Sequence, residues 1–239
     1  MGNPAQKRLI RKLELELFLS QMESQPSPKA SLEQYTVSEA IAATMLYLAA
    51  YTNGDIIGKT VLDLGCGTGR LALAASYLGA QCVLGVDIDK TAIKTASENS
   101  EKAGFKTNVQ WVIGDISAIT GSFDTVLQNP PFGVQKRAAD RKFLEKALEV
   151  GNVVYSLHNH PHTDKQLIQR LKANPGSLLQ VAPSPFIEKF VESHHGLVKA
   201  VYAMLMTIPR MFDFHTKIKH DFIVDLYLIK KASDELGVL

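Results

Sequence analysis

A short apolar run that leads into a glycine-rich turn restricts the fold of this chain more than any other feature. Residues 60–64 are mostly apolar, and glycines follow at alternate positions, as Gly65, Gly67 and Gly69. Glycine tolerates positive φ and lets the backbone approach a ligand, so this pattern is typical of a parallel sheet with a binding loop. The spacing G-x-G-x-x-G of dinucleotide-binding loops is missing, because Arg70 takes the place of the third glycine.

Strand and helix patterns alternate from residue 60 onward. Strands are predicted at 60–64, 81–86, 109–113, 123–128 and 153–157, and the intervening helices at 71–78, 91–103 and 139–150. Alternation of this kind implies right-handed βαβ crossovers. The predicted fold class is therefore α/β, with a doubly wound, Rossmann-like sheet that is mostly parallel.

The two ends of the chain depart from this alternation. Helices are expected at about 3–22 and at 38–50, and Leu9, Leu13 and Leu17 line one face of the first. Towards the C-terminus, a helix at 186–193 precedes two long strands, at 198–207 and 222–229, that are expected to pair antiparallel. We expect a single domain over 1–239, made of a helical extension at 1–53 and a Rossmann-like core at 54–239.

Composition narrows the setting and the partners. Two cysteines among 239 residues do not make a disulfide framework, which favours a reducing, cytoplasmic location. No apolar run is long enough to cross a bilayer, so no membrane partner is expected. The formal net charge of +2 means that any nucleic-acid surface must be a local one.

Acidic residues stand at the ends of three consecutive predicted strands. Asp63 precedes the first glycine and could hold a cationic amino acid group, while Asp87 follows at the distance typical of an acid that accepts from ribose hydroxyls. Asp115 could accept from an adenine amino group. This set favours S-adenosylmethionine as the cofactor over NAD, with contacts predicted for Asp63, Gly65, Cys66, Gly67, Thr68, Asp87, Ile88, Asp115 and Ile116.

The run Asn129-Pro130-Pro131-Phe132 at the end of the fourth strand is the most specific motif. An amino group conjugated to a ring is a poor nucleophile, because its lone pair is delocalised. The Asn129 carboxamide oxygen and the Pro130 carbonyl can both accept hydrogen bonds from it and direct its lone pair at a methyl donor. Pro131 stiffens the loop, and Phe132 offers a face on which a base can stack. These four residues are the predicted catalytic loop.

The two motifs in this order resemble the class I amino-group methyltransferases. The chain also resembles, over about residues 9–229, the methyltransferase-like-five family of small-subunit rRNA adenine-N6 methyltransferases. Four further stretches carry the narrower resemblance: Pro28-Lys29 with Leu32–Tyr35, Ile41–Tyr47, Val154–His158 and Phe214-His215.

The resemblance implies more than the motifs do. It implies N6 methylation of an adenosine in small-subunit rRNA, cofactor contact by Gln34, and a structural or RNA-facing role for His158. It also implies a small zinc-ribbon activator protein that adds a strand at the edge strand Val109–Ile113, which contains the only tryptophan, Trp111. An apolar edge strand is either covered by its own chain or paired with a partner.

Some positions depart from the family pattern. Val37 stands where the family usually has threonine, so no threonine contact is expected there. Residues 160–184 look like an insertion after the fifth strand, either altering substrate access or only decorating the surface. The histidines 158, 160 and 162 alternate, but no cysteine or acid cluster accompanies them, so no metal site is expected.

Candidate RNA contacts lie around and after the predicted catalytic loop. Phosphate contacts are predicted for Lys136, Arg137 and Arg141. Phe214, His215 and Lys217 are further candidates, although core packing is an equal alternative for Phe214. Cys66 belongs to the cofactor loop, so it is not expected to act as the nucleophile that C5-cytosine methylation requires.

Two other functions fit parts of the pattern. Protein glutamine-N5 methyltransferases use the same Asn-Pro-Pro-aromatic loop, because an amide nitrogen has the same delocalised lone pair. They favour tyrosine at the aromatic position, whereas this chain has Phe132. A non-catalytic RNA-binding scaffold is the second alternative, and the intact Asp63, Asp87 and Asn129 argue against it.

Overall fold

A mixed eight-stranded sheet forms the centre of the computed structural model, which describes residues 9–26, 28–29, 36–105, 108–132, 139–162, 164–174, 176–209 and 219–232. The strands are β1 Thr60–Leu64, β2 Cys82–Asp87, β3 Val109–Ile113, β4 Phe123–Gln128, β5 Gly151–Asn159, β6 Leu179–Gln180, β7 Gly196–Pro209 and β8 Lys219–Lys231. The helices are α1 Lys12–Ser20, α2 Glu39–Tyr47, α3 Arg70–Tyr77, α4 Lys90–Lys102, α5 Ala139–Val150, α6 Lys165–Ala173 and α7 Pro185–Ser193.

The strand order is β3-β2-β1-β4-β5-β8-β7-β6. Neighbours from β3 to β5 pair in parallel, whereas β8 pairs antiparallel with both β5 and β7. The chain winds outward in both directions from β1 and β4, and this reversal of strand order is where open α/β sheets bind ligands. The predicted fold class and the antiparallel C-terminal pair are confirmed.

Alternate residues of each strand face opposite layers of helices. In β1, Val61 packs into the core shared with α1, α2 and α3, while Leu62 and Leu64 pack into the core shared with α5 and α7. Because both faces of the central strands β1 and β4 are covered, these strands are mostly buried, which is why each contains a short apolar run in the sequence.

The leucine face that was predicted for the first helix is exposed to solvent, and the opposite face is buried. Leu15 and Leu19 are fully buried against the core, whereas Leu9, Leu13 and Leu17 are each more than half exposed. The two leucine sets lie on opposite sides of α1, so periodicity alone could not tell which side packs on α2. The beginning of the predicted helix, residues 3–8, lies outside the described residues.

The second predicted helix is confirmed, with one irregularity. The Ser38 hydroxyl accepts from the Ile41 N–H and caps α2, and a π-helical segment, Leu48–Thr52, follows α2. Gly54 then ends the helical region with φ of 71°.

The segment 160–184 contains two elements that the sequence patterns did not predict. Leu167 and Leu171 of α6 are buried against Ala203 and Ile223 of the β7–β8 hairpin. The short β6 pairs with β7 and extends the sheet beyond it. None of the described helices is both long and apolar enough to cross a membrane.

Candidate active site

A cavity of about 720 Å³ lies at the carboxyl ends of β1, β2 and β4, where the strand order reverses. All the residues predicted to bind the cofactor line it, apart from Gln34, which lies outside the described residues: Asp63, Gly65, Cys66, Gly67, Thr68, Asp87, Ile88, Asp115 and Ile116. Asn129 and Pro131 line the same cavity. The structure therefore brings the two sequence motifs together.

The glycine-rich turn cannot carry side chains at its last position. Gly69 has φ of 85°, a left-handed conformation that suits glycine. A Cβ there would also lie 2.4 Å from the Trp111 ring. The Trp111 ring therefore packs directly against the glycine-rich turn, beside Gly69, the residue that precedes α3.

Asp63 is buried beneath the turn. Its Oδ2 accepts from the Ala72 N–H at 2.9 Å, in the first turn of α3. Burial raises the pKa of Asp63 to about 7, and the negative charge of Asp87 adds to the rise, while the Ala72 hydrogen bond opposes it. A cationic group in the cavity would favour the ionised form of this carboxyl.

Asp87 ties the end of β2 to the same turn. Its Oδ2 accepts from the Gly67 N–H at 2.9 Å and its Oδ1 from the Asp89 N–H at 2.8 Å. Burial raises the pKa of Asp87, against these hydrogen bonds. A carboxylate has about four acceptor positions, so this fixed side chain retains capacity for hydroxyl donors.

Asp115 and Cys66 occupy different parts of the cavity wall. The Asp115 carboxylate accepts from the Ser117 N–H at 2.9 Å and begins a 3-10 turn, Ile116–Ala118. Cys66 is buried, and burial raises the pKa of its thiol. A protonated thiol is a poor nucleophile, which agrees with the sequence interpretation of Cys66.

The N-terminal extension supplies another wall of the cavity, from which the sequence predicted a contact by Gln34 alone. Gln25, Thr36 and Val37 line the cavity. The Gln25 amide and the Lys29 ammonium donate to the buried Asp89 carboxylate at 3.1 and 3.0 Å.

A buried arginine and a helix face complete the wall. Arg70 donates to the Val37 carbonyl at 3.1 Å and to the Glu39 carboxylate at 2.6 Å. One face of α5 also lines the cavity, through Ala139, Lys142, Phe143, Lys146 and Glu149. Their three- and four-residue spacing was a helical signal available in the sequence.

The predicted catalytic loop divides between the cavity and the core. Asn129 and Pro131 line the cavity, whereas Pro130 is buried. Phe132 is half-buried, and its ring lies edge-on to Phe222 of β8, with the centroids 5.9 Å apart. The phenylalanine is therefore held partly by the protein itself.

A chain of buried polar side chains lies behind this loop. Gln128, the residue before Asn129, donates to the Ser156 hydroxyl at 2.8 Å, and Ser156 contacts His158 Nε2 at 2.7 Å. All three are buried, and burial lowers the pKa of His158 to about 4, so the imidazole is neutral near pH 7. Of the two roles implied for His158, the RNA-facing one is wrong, because the ring has almost no exposed surface.

The strand β3 lies at one edge of the described sheet, as expected. Of the two alternatives for its apolar residues, Trp111 follows the one in which the chain itself covers them. Its indole packs inward over Gly69 and Gly85, because the face it shares with Val109 is covered by helices. The exposed apolar side chains of this edge are Val112 and Ile113.

Of the predicted RNA contacts, the described residues include one. Arg141 is exposed in the first turn of α5, and its guanidinium carbon lies 4.5 Å from the centre of the Phe186 ring. The other five lie outside the described residues: Lys136, Arg137, Phe214, His215 and Lys217.

The doubly wound sheet, the glycine-rich turn, the strand-end acids and the Asn-Pro-Pro-Phe loop define a class I methyltransferase that uses S-adenosylmethionine. Residues 57–197 match the family model of a methyltransferase domain. The protein shares 34% identity over 218 residues with the rRNA N(6)-adenosine-methyltransferase METTL5 of Danio rerio, covering 89% of this chain and 95% of that one. The chain belongs to the METTL5 family of methyltransferases.

Archaeal proteins are similar over a larger share of the chain. An uncharacterized protein of Methanocaldococcus jannaschii is 36% identical over 239 residues, covering 95% of this chain and 97% of that one. A crystal structure of a candidate RNA methyltransferase from Pyrococcus horikoshii superposes with a TM-score of 0.78 at 38% identity, covering 94% of this chain and 100% of that one. The similarity therefore includes the N-terminal helices as well as the sheet.

Proposed function

We propose that this enzyme methylates N6 of an adenosine in RNA, with small-subunit rRNA as the substrate. The observation that carries the proposal is the single cavity shared by Asn129, Pro131 and the acids Asp63 and Asp87. An amino group held by the loop would thus meet a cofactor held by the acids. The rRNA activity of the Danio rerio relative supports the choice of substrate.

The catalytic loop positions the amino group. The Asn129 carboxamide oxygen and the Pro130 carbonyl each accept a hydrogen bond from one N–H of the adenine amino group. These two hydrogen bonds turn the lone pair of the nitrogen towards the cavity. Pro131 keeps these acceptors in place, and Phe132 stacks on the adenine. S-adenosylmethionine supplies a methyl group on a positively charged sulfur, so the loop needs no strong general base.

The cavity acids hold the cofactor in distinct ways. Asp63 would hold the ammonium group of S-adenosylmethionine, and Asp87 would accept hydrogen bonds from both of its ribose hydroxyls. Asp115 would accept a hydrogen bond from the adenine amino group of the cofactor. The backbone of the glycine-rich turn, with Cys66 and Thr68, passes along the amino acid moiety, while Ile88 and Ile116 contact the adenine. Gln34, in the N-terminal extension, would add the cofactor contact that the family resemblance implies. Since Gln25, Thr36 and Val37 line the same cavity, we propose that residues 1–53 and 54–239 work as one domain.

RNA and an activator protein are the proposed partners. Lys136, Arg137, Arg141 and Lys217 contact phosphates, while Phe214 and His215 contact bases. A strand of a small zinc-ribbon protein pairs with β3, and its apolar side chains cover Val112 and Ile113. The low cysteine content supports a cytoplasmic location.

The direct test is labelled methyl transfer followed by mass spectrometry of digested RNA. Purified protein, with and without a zinc-ribbon activator, is offered ribosomal RNA, small ribosomal subunits and total protein. We expect N6-methyladenosine in small-subunit RNA, and its loss in Asn129→Ala with cofactor affinity within a few fold of wild type. Asn174→Ala, at an exposed asparagine after α6, is the control that keeps activity. Label confined to protein would move the substrate to glutamine amides, and normal turnover by Asn129→Ala would refute the mechanism.

A further inference from the structure

An exposed aromatic side chain lies next to the first turn of α5, the helix that follows the catalytic loop. Phe186, in the first turn of α7, is 50% exposed, and it is the only aromatic residue among the large exposed apolar side chains of the described residues. The Arg141 guanidinium lies over its ring at 4.5 Å. The two side chains form a cation–aromatic pair that faces solvent; we refer to them as the Arg141–Phe186 pair.

The Arg141–Phe186 pair adjoins the rim of the catalytic cavity, although neither side chain is part of the cavity lining. Arg141 belongs to the first turn of α5, the helix that follows the catalytic loop, and its neighbour Lys142 lines the cavity. Because α5 connects the parallel strands β4 and β5, its first turn lies at the carboxyl edge of the sheet. A nucleotide adjacent to one bound at Asn129 would pass this rim.

The backbone beneath the pair is held firmly. The Ser184 N–H, just before α7, donates to the Tyr227 hydroxyl of β8 at 2.9 Å. Pro185 occupies the first turn of the helix, and the buried Ile187 packs into the same core as Leu144 of α5. Ser184 and Ile187 thus hold the backbone on either side of Phe186, and the Phe186 ring is exposed between them.

The chemistry of the pair fits an unpaired nucleobase. Bases stack on phenylalanine rings and on arginine guanidinium planes, and arginine retains N–H donors for an adjacent phosphate. The surroundings carry both charges: Lys142 and Lys189 are exposed, and Glu145 and Glu188 lie on the same two helices. Mixed charge of this kind suits a single stacked base better than an extended path of phosphates.

We propose that Arg141 and Phe186 form a stacking platform for an unpaired RNA base that flanks the target adenosine. The proposal rests on the proposed function, since it requires an RNA substrate at the catalytic loop. It assigns to Arg141 a base contact in addition to the phosphate contact expected from the sequence.

The test compares variants that keep or lose the aromatic face. RNA affinity is measured by fluorescence anisotropy with a short single-stranded RNA that contains one adenosine. We expect Phe186→Leu, which retains apolar bulk, to weaken binding about tenfold, the scale of one stacked base. Phe186→Trp should bind as well as wild type. Arg141→Met should also bind more weakly, while Leu197→Ala, at an exposed apolar residue of β7, is the control without effect.

Two further readouts separate the possible failures. Melting temperature and S-adenosylhomocysteine affinity should be the same in all variants, which excludes misfolding as the cause of weaker RNA binding. Wild-type affinity in Phe186→Leu would overturn the platform. Equal losses in Phe186→Leu and Phe186→Trp would also overturn it, since stacking requires that an aromatic replacement bind better than an aliphatic one. Absence of N6-methyladenosine from wild-type reactions would instead refute the proposed function.

Discussion

Asp63, which is buried, and Asp87, which is half-buried, line the same cavity, so their charges interact. Desolvation raises the pKa of both carboxyls, and the charge of Asp87 raises that of Asp63 further. Within the described part of the chain, the donors to these two carboxylates are backbone N–H groups, such as those of Gly67 and Ala72, and not cationic side chains. A cationic ligand in the cavity lowers the pKa of such acids and favours their ionised form.

Cofactor affinity is therefore expected to depend on pH through Asp63. Its pKa is about 7 in the free protein, and a cationic ligand lowers that pKa, so binding releases a proton. Affinity should rise with pH up to about 7, by at most about tenfold per pH unit, and level off above it. Isothermal titration calorimetry with S-adenosylhomocysteine between about pH 6 and about pH 8 measures this. Asp63→Asn should bind more weakly and lose the dependence; parallel profiles in the two proteins would contradict the role of Asp63.

The contact between Gly85 and Trp111 predicts a second effect at the residue scale. A Cβ at Gly85 would lie 2.4 Å from the indole, and no positive φ complicates the substitution. Gly85→Ala should lower the free energy of unfolding by about 2 kcal/mol through overpacking. In urea denaturation, the same substitution in a Trp111→Ala background should cost much less. Gly114→Ala, whose Cβ would meet Val112 at an ordinary 3.7 Å, is the control. Additive effects of the two substitutions would show that the contact is not the cause.

At the scale of elements, the strands β1 to β5 and the long pair β7 and β8 were predicted from the sequence, whereas the small elements α6 and β6 were missed. β1 to β5 could be located because each contains a short apolar run and the connecting helices have clear periods. The orientation of α1 could not, since leucines occupy both its sides. β6 was not predictable, because it depends on pairing with β7, distant in sequence. α6 was missed although Asp164 caps it and Leu167, Ile168 and Leu171 follow at helical spacing.

The same limit applies to the edge strand β3. Its outermost position followed from the strand order expected of this fold, yet the direction of Trp111 depends on the space above Gly69 and Gly85. Within the site, strand-end acids and the catalytic loop were predictable from motifs. Gln25 and Arg70 were not, because their positions depend on how the N-terminal extension folds back.

The exposed apolar edge of β3 gives a prediction for the activator. Ile113→Lys places a charge where a paired strand would bury apolar surface, so recovery of a co-expressed zinc-ribbon activator should fall about tenfold. Leu197→Lys, at an exposed apolar position of β7, should leave recovery unchanged. Trp111→Asp is a poorer probe, because the indole also supports the glycine-rich turn. Undiminished recovery with Ile113→Lys would place the activator elsewhere.

At the scale of the whole molecule, the cavity joins three parts of the chain. The N-terminal extension contributes Gln25 and Val37, the sheet contributes Asp63 and Asp87, and α5 contributes Phe143. A ligand that contacts all three binds only the folded chain, so its binding energy adds to the stability of the fold as a unit.

S-adenosylhomocysteine at about 100 times its Kd should therefore raise the free energy of unfolding by about 2.7 kcal/mol. Asp87→Ala should weaken binding by about 2 kcal/mol, the scale of hydrogen bonds to a charged group. At the same ligand concentration that variant would reach only a few times its own Kd, so the increase should shrink to about 0.9 kcal/mol. Asp124→Ala removes a carboxylate that accepts from Thr60 at the opposite end of β1, so it should lower the stability of the free protein while retaining the full increase. An equal increase in Asp87→Ala and wild type, measured by urea denaturation, would remove Asp87 from cofactor binding.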